Sequence, residues 1–462
     1  MPTDSNFVAA RPPLEEIRQK LESGSFNSIR QILPDSLITA ACAQTEYKFR
    51  KRLLTPTVVV LHQVLAAIWP EESLAASWQV LWGSLVSRLP GAAGHGPSSG
   101  SVAKARARIP LAIWNFLFDA IARRAAQLGD ALNRWRGLRL VLLDGTCVSM
   151  AAEAALFTAF GTQTNKQGPG KYPLARLATL ALGNTKTILG YALGGYLDSE
   201  TTLAQQLFDR LCAADLLIAD RLFAGAHFYA MLLTRQVQFL TRMHQRLQPY
   251  RLKRIITYSA TDFVAELPLG PQFRPKYPDL PQVLQVRFIG FTCKTRSGRE
   301  TVWLATSLLS ADDYPAFEIA ALYLRRWRIE LLFREFKVNL SADVLRGLTP
   351  DGVRKEIAAR LLALNVVHTL MLEAALQTGV DATQISFVQT IRTLLVFSPA
   401  LATVNAYLLP FLGRAMLREI AAHLVPVRPD RQEPRLIRRE RKHYPTLKTT
   451  REEWRHIFAA SA

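Results

Sequence analysis

Two runs of branched aliphatic residues, each followed by an aspartate, constrain the fold of this chain more than any other feature. The first is LRLVLLDG, which contains Asp144, and the second is LLIADR, which contains Asp220. Such short aliphatic runs are typical of strands buried on both faces of a sheet. A strand-end acid is often only a turn or cap residue, but next to a core it needs a cation or hydrogen bonds to compensate it. We therefore expect an α/β fold with two strands that each end in an acid.

The periodicity of the remaining sequence divides the 462 residues into three predicted regions, because a chain of this length is too long for one ordinary core. Residues 1–135 have the three-and-four spacing of helices. Residues 136–375 carry strand-like and helical patterns, and an irregular stretch at about 245–310 is predicted to be a β-rich insertion. Residues 376–462 are predicted to form a further helical region and a basic tail.

The charge of the chain indicates a polyanionic partner. Lysine and arginine total 57 against 37 acidic residues, which gives a formal charge of +20 and an isoelectric point near 10.1. Nucleic acid is the leading interpretation, and a basic soluble protein without such a role is the alternative. The tail from Val425 onward is either a solvated extension or an arm that binds DNA or a partner.

The cysteine content and the apolar segments bear on compartment. The cysteines are far apart and form no metal-ligand spacing: Cys42, Cys147, Cys212 and Cys293. This pattern predicts a reducing cytoplasm and no structural zinc. The longest apolar stretches, Thr57–Trp69 and Ile357–Leu372, are interrupted by polar residues, so we expect buried helices and no membrane association.

A polar stripe lies on one long predicted helix, FEIAALYLRRWRIELLFREFK. Tyr323, Arg326, Glu330 and Lys337 are at offsets of 0, 3, 7 and 14 along it. At about 100° per residue they share a sector roughly 60° wide. A carboxylate between an arginine, a lysine and a tyrosine suits a metal and phosphate site. The alternative is a solvated, salt-bridged stripe.

Several motifs in the same chain order closely resemble the insertion sequence 4 family of DDE transposases. They are VLLDGT, EAALFTAFG, LLIADRLF and the spacing Tyr-x2-Arg-x3-Glu-x6-Lys. The segment LITAACAQTEYKFRKRLLTPTVVVLHQVLAAIW is similar to the family's amino-terminal helical domain, and EPRLIRRERKHYPTL resembles a carboxy-terminal stretch of its members. The resemblance therefore covers most of the chain.

The resemblance implies a ribonuclease-H-like mixed-sheet core in which Asp144, Asp220 and Glu330 coordinate two magnesium or manganese ions. These ions would promote phosphodiester hydrolysis and transesterification. Tyr323, Arg326 and Lys337 would bind DNA phosphates beside the scissile bond.

Two further residues are candidate DNA contacts. Family members release the element through a hairpin, with a base flipped onto an aromatic residue that Trp303 resembles in its local sequence. Buried core is the alternative for Trp303. Arg221, next to Asp220, is a weaker candidate for a phosphate contact.

The remaining expectations concern partners and open alternatives. The DNA would be the terminal inverted repeats and target duplex, bound by a homodimer in the cytoplasm, associated with the nucleoid. Residues 1–135 are the candidate repeat-binding domain because of the cations Arg50, Lys51, Arg52, Lys104, Arg106 and Arg108. An inactive or domesticated DNA-binding regulator, or a nuclease that cuts without integrating, is the alternative. Glu200 is interpreted as a helix-start acid although the family often has a glutamate there, and His227 and His244 are assigned no metal.

Overall fold

A mixed β-sheet forms from the two aliphatic runs and the strands around them. The structure is a computed structural model that describes residues 12–426 except 14, 18–26, 51, 71–72, 87–91, 95, 166–167, 245–247, 296–297 and 406. The strands, in chain order, are β1 (Arg134–Trp135), β2 (Leu138–Met150), β3 (Thr164–Asn165), β4 (Gly168–Pro169), β5 (Leu174–Leu182), β6 (Ile188–Gly195), β7 (Asp215–Ala219), β8 (Gln238–Arg242), β9 (Arg254–Ser259), β10 (Asp262–Pro268), β11 (Val283–Thr295), β12 (Gly298–Thr306) and β13 (Val344–Leu345).

The core of the sheet has the strand order β6-β5-β2-β7-β8. Strands β2, β5 and β6 form an antiparallel meander, and β7 and β8 then run parallel to β2. A three-stranded meander followed by two parallel strands on its other side is the layout expected for a ribonuclease-H-like core. The predicted fold class is therefore confirmed by the topology.

The β-rich insertion predicted between Asp220 and Glu330 continues this same sheet. Its strands β9 to β12 extend the sheet past β8 in the order β8-β12-β11-β10-β9. The junction is antiparallel and pairs Leu304 of β12 with Arg242 of β8. The insertion is thus attached at the strand next to β7, close to Asp220. The domain boundaries at residues 135 and 375 stay a prediction.

Helices precede the sheet, connect some of its strands and follow it in the chain. They are α1 (Asn27–Arg30), α2 (Asp35–Gln44), α3 (Pro56–Ile68), α4 (Leu74–Val86), α5 (Ser99–Arg108), α6 (Leu111–Leu128), α7 (Ala154–Phe160), α8 (Glu200–Gln205), α9 (Ala226–Leu233), α10 (Ala316–Leu324), α11 (Trp327–Arg334), α12 (Pro350–Thr378), α13 (Phe387–Thr403) and α14 (Leu409–Ala422). Helix α12 packs against α3, α6 and α14. Among the described helices it is the one long and apolar enough to cross a membrane, but 94% of its apolar window is buried inside the protein. It is the core helix that the interrupted apolar pattern predicts.

Alternation along β2 assigns its side chains to two apolar cores. Leu140 and Leu142 join the core that contains α12 and the amino-terminal helices, whereas Val141 and Leu143 join the core that contains α8 and α9. Since successive side chains of a strand point to opposite faces, Asp144 faces the α12 side. Helix α11, which carries Glu330, contacts β2 on this side.

Two local predictions are wrong. Asp144 does not end its strand, because β2 continues to Met150 by pairing with β5 and then with β13. The long polar helix is also not continuous: α10 ends at Leu324, α11 runs from Trp327 to Arg334, and a π-helical segment covers Glu335–Asn339. Backbone hydrogen bonds from Arg325 and Arg326 reach only three residues back, which tightens that turn. Helical periodicity in the sequence does not reveal the contacts of this segment with residues distant in the chain.

Candidate active site on β2, β7 and α11

The strand register brings Asp144 and Asp220 next to each other. The parallel pairing of β2 with β7 ends at Leu143 and Ala219. The next residue after each of these is an aspartate, Asp144 or Asp220. Neighbouring strands lie about 4.8 Å apart. On its other side Asp144 is paired with Thr179 of β5. Asp144 is therefore held at mid-strand, at the point where its neighbour β7 stops and leaves space.

The environment of Asp144 opposes its negative charge. Its pKa is raised from 3.8 to about 6, above all by burial and also by the charges of Asp220 and Glu200, against the lowering effects of a hydrogen bond from the Gly145 N–H and the charge of Arg326. The Gly145 N–H donates to Asp144 Oδ1 at 2.8 Å. A buried carboxyl group with too little compensation is typical of sites that bind a cation.

Arg326 links two of the three predicted acids. Its Nη1 lies 3.5 Å from Asp144 Oδ2, and its Nη2 donates to Glu330 Oε1 at 2.8 Å. The Nε atom is buried without a hydrogen-bond partner in the described part of the chain. The guanidinium therefore brings Glu330 of α11 towards β2 and keeps one donor for a further acceptor.

Tyr323 and Lys337 lie on either side of this arginine and glutamate. The Tyr323 ring is buried, and its centroid is 6.0 Å from Arg326 Cζ. The pKa of Tyr323 is raised to about 12, above all by burial and also by the charge of Asp220, against the lowering effect of Arg326. Lys337 is half-buried on the π segment, where burial lowers its pKa. The charges that act on Lys337 come from Cys147 and Asp343, so it lies further along β2 than Asp144 does.

Glu200 lies close enough for its charge to raise the pKa of Asp144, a proximity that the helix-start interpretation did not include. A Cβ atom added to Gly145 would lie 2.7 Å from Glu200 Oε2, so this carboxylate packs against the β2 backbone at the residue after Asp144, on the α8 side of the sheet. Arg176 Nε is 3.7 Å from Glu200 Oε1. Glu200 does begin helix α8, as predicted, but the helix start also delivers it to the acid cluster. The glycine directly after Asp144 was the available signal.

Trp303 and Arg221 are both at this edge of the sheet. Leu304 pairs with Arg242, which is level with Asp220, so Trp303 is two strands from Asp220, about 10 Å by strand spacing. Its half-buried ring covers Gly290 and meets Phe263 edge-on at 5.9 Å. Arg221 is exposed at the start of a short 3₁₀ turn after Asp220. Neither side chain is among those that contact the acids.

The donor set of this site suits a hard divalent cation. Carboxylate oxygens are the ligands that magnesium and manganese prefer, and Asp144 and Asp220 are adjacent. Among the described residues, however, no group of three or more acids, histidines or cysteines is arranged at metal-binding spacing. The Glu330 carboxylate is held by Arg326. The chemistry of the residues fits a divalent ion, provided that Arg326 releases Glu330.

Comparison with known proteins places this geometry in a family. The family described as Transposase DDE domain matches residues 135–366, which include every acid of the site. Transposase InsG for insertion sequence element IS4 of Escherichia coli strain K12 is 26% identical over 319 residues, 68% of this chain and 70% of that one. A probable transposase for insertion sequence element IS5377 of Geobacillus stearothermophilus is 25% identical over 177 residues, 38% of this chain and 45% of that one. A piggyBac transposase synaptic complex with hairpin DNA has a TM-score of 0.43 at 11% identity, covering 86% of this chain and 84% of that one.

Proposed function

The chain belongs to the DDE-domain transposases of insertion sequences, and we propose that Asp144, Asp220 and Glu330 are the acids with which it cuts DNA at the ends of its element. The observation that carries this proposal is the register that sets Asp144 beside Asp220, with Arg326 connecting Asp144 to Glu330. The three acids come from distant parts of the chain, so a surface stripe of charge does not account for their meeting.

DDE transposases generally use divalent metal ions, and the three acids would hold two ions of magnesium or manganese. Ions held by these acids would make an attacking water or DNA 3′-hydroxyl a better nucleophile and would stabilise the leaving oxygen. The raised pKa of Asp144 supports this assignment, because a carboxylate without sufficient compensation in the protein alone is relieved by a bound cation.

The residues of the chain then position the DNA. Arg326 pairs with Asp144 and Glu330 in this structure. Once these acids bind metal ions instead, its guanidinium would be available to phosphate oxygens. Tyr323 limits the movement of the guanidinium from one side. Lys337 lies near the later part of β2 and would bind the DNA backbone there. The exposed Arg221 would bind DNA phosphates on the Asp220 side. Trp303 presents a half-exposed ring at the same edge, which suits stacking of a flipped base during hairpin formation.

A basic groove in the amino-terminal helices is the proposed contact with the terminal inverted repeats. The groove has a volume of about 610 Å³ between the segment before α3 and helix α5. Its cations are Lys48, Arg50, Arg52, Lys104 and Arg108. Tyr47 and Phe49 stack in the groove at 6.1 Å between ring centroids. Phosphates attract such cations independently of sequence, and aromatic rings offer contacts to bases or sugars.

Not every predicted cation lines this groove. Arg106, on the same helix α5, lines separate cavities towards α4 and α12. Lys51 and the basic tail from residue 427 onward lie outside the described residues. A homodimer that pairs two ends, strand transfer into target DNA, and action in the cytoplasm on nucleoid DNA complete the proposal.

The proposal is tested by incubating the purified protein with Mg²⁺ or Mn²⁺ and duplexes that carry the DNA flanking its gene. Wild-type protein is expected to nick these ends at a defined position, and Glu330→Gln is expected not to. The matched control is Glu318→Gln. Glu318 lies on the adjacent helix α10 and also pairs with an arginine, Arg136, but this pair is away from the acids. Equal nicking by wild type and Glu330→Gln would reject the assignment of Glu330.

A further inference from the structure

The turn between β5 and β6 touches the segment that carries Glu330 on both sides of that residue. Arg328, two residues before Glu330, donates to the carbonyl oxygen of Gly183 at 3.0 Å and to Asn184 Oδ1. Lys186, from the same turn, reaches Glu335, five residues after Glu330, with 2.6 Å between Nζ and Oε1. The turn therefore spans the segment around the acid without contacting the acid itself.

Glu335 also ties this segment to the core helix α12. His368 Nε2 is 2.9 Å from Glu335 Oε2, and both side chains are at most 8% exposed. His368 Nδ1 is buried without a hydrogen-bond partner among the described residues. Burial would raise the pKa of Glu335, but the His368 hydrogen bond and the Lys186 charge lower it to about 2. The cluster is thus an ion pair between Glu335 and Lys186 to which His368 adds a second contact.

The far end of the segment is held as well. Arg360 of α12 donates to the carbonyl oxygen of Leu340, directly after the π segment. The amide of Leu340 bonds to the carbonyl of Glu335 at 3.0 Å, the five-residue spacing of a π turn. Such turns insert an extra residue into a helix and are frequent at functional sites. Glu335 stands where the α-helical pitch changes.

The turn is itself fixed to the 3₁₀ turn Ala131–Asn133, which follows α6. Asn133 Oδ1 accepts from the amides of Asn184 at 2.9 Å and Thr185 at 3.2 Å. Asn133 Nδ2 donates to Thr185 Oγ1 at 3.1 Å, and Asn133 is fully buried. A turn anchored in this way is a rigid support, so its contacts with Arg328 and Glu335 restrict the helix and not the turn.

We propose that the turn Gly183–Thr187, together with Glu335 and His368, is a clamp that positions Glu330 against Asp144 and Asp220. Glu335 is a positioning residue that acts through Glu330. This inference rests on the proposed function, because it concerns how the third acid is held. Backbone hydrogen bonds couple successive turns of a helix, so displacement of one turn also moves the next. Loss of the contacts of Arg328 or of Glu335 therefore allows Glu330 to move away from the aspartates.

The test compares Glu335→Gln and Arg328→Met with Asp215→Asn in the full-length protein. Asp215 is a matched control because it is a buried carboxylate bound twice by Arg139, at 2.7 and 2.8 Å, at the opposite end of β2 and β7. Arg328→Met keeps the proposal testable where Glu335→Gln fails to fold, since Arg328 is only part-buried. Two readouts are used: exchange of backbone amides in residues 327–340, and Mn²⁺ affinity measured by electron paramagnetic resonance without DNA.

Both clamp variants are expected to speed exchange in residues 327–340 by at least tenfold and to weaken Mn²⁺ binding by at least tenfold. Asp215→Asn is expected to speed exchange only in β2 and β7 and to leave Mn²⁺ affinity within about twofold. Unchanged exchange, or faster exchange with wild-type Mn²⁺ affinity, would overturn the clamp. A failure of the proposed function has a different signature, namely Glu330→Gln that binds Mn²⁺ as tightly as wild type.

Discussion

Glu330 and Glu335 lie five residues apart on the same helical segment, and each belongs to a different acidic cluster. The buried acids of the two clusters, Asp144 and Glu335, have pKa values shifted in opposite directions. Asp144, which meets Glu330 through Arg326, is 20% exposed, and its pKa is raised to about 6. Glu335 is only 8% exposed, yet its pKa is lowered to about 2. The more deeply buried acid is the more stable anion. The difference lies in the partners: Glu335 has a lysine and a histidine of its own, whereas Asp144 shares one arginine with Glu330 and is affected by the charges of two further acids.

The comparison separates acids that serve chemistry from acids that serve structure. A compensated ion pair such as Glu335 with Lys186 fixes geometry and has little left to offer a ligand. An acid cluster short of positive charge is destabilised in the protein alone and gains most from a cation. A substitution in the first cluster should therefore act mainly on chemistry and metal binding, and one in the second mainly on stability.

The largest expected effect is on chemistry at the first cluster. Asp220→Asn should lower the rate of end nicking by about 10³-fold or more, since removal of a metal-holding charge forfeits several kcal/mol of transition-state stabilisation. The measurement is a single-turnover nicking assay with Mg²⁺. The melting temperature should stay close to that of wild type. A variant that loses nicking only in proportion to its folded fraction would assign Asp220 to structure.

The second cluster should respond in stability. Lys186→Met leaves Glu335 buried with His368 as the one remaining partner of its side chain among the described residues, and breaking a buried pair from one side typically costs about 3–5 kcal/mol. Urea unfolding, followed by circular dichroism, measures this loss.

A double variant serves as its control. Lys186→Met with Glu335→Leu removes both charges, so most of the lost stability should return. A double variant as unstable as the single one would show that packing, and not the unpaired charge, dominates this cluster.

The cluster around Asp144 and Glu330 can be predicted from the sequence better than the cluster around Glu335. The aliphatic runs before Asp144 and Asp220, and the spacing from Tyr323 to Glu330, are local signals that survive folding. The tight turn at Arg326 and the π segment at Glu335 are not local. They follow from contacts with Asp144, Lys186 and His368, which are distant in the chain. For the same reason the strand continues past Asp144, where Thr146 and Cys147 gain pairing partners on β5 that the sequence alone does not reveal.

The pH dependence of stability should reveal Glu335 on the acid side. Its pKa is 4.5 in ordinary surroundings and about 2 in the folded protein, so its contribution is complete above pH 4.5 and is lost as the pH falls towards 2. The shift corresponds to at most about 3 kcal/mol. Urea unfolding between pH 6 and pH 3 should show a steeper loss for wild type than for Glu335→Gln. Parallel pH profiles would contradict the lowered pKa.

Asp144 should show the opposite sign. Its folded pKa is raised from 3.8 to about 6, so the folded state is penalised as the pH rises through this range and remains so above it. Asp144→Asn removes the penalty and should stabilise the metal-free protein by about 1–2 kcal/mol at pH 8, with no gain below pH 3.8. Thermal unfolding with a chelator present checks this. Destabilisation at pH 8 would mean that Arg326 compensates Asp144 fully.

Glu200 tests the first cluster most finely, because its charge raises the pKa of Asp144 less than burial does. Glu200→Gln removes a like charge, so the pKa of Asp144 should fall below 6 but stay above 3.8, since burial remains. Carbon-13 resonances of the Asp144 carboxyl group, titrated in the metal-free protein, measure this shift. Glu153→Gln is the control, because Glu153 is exposed after β2 and is not among the charges that act on Asp144. A fall in Glu200→Gln alone places Glu200 electrically within the acid cluster, whereas equal titration of Asp144 in both variants would leave Glu200 as no more than the start of α8.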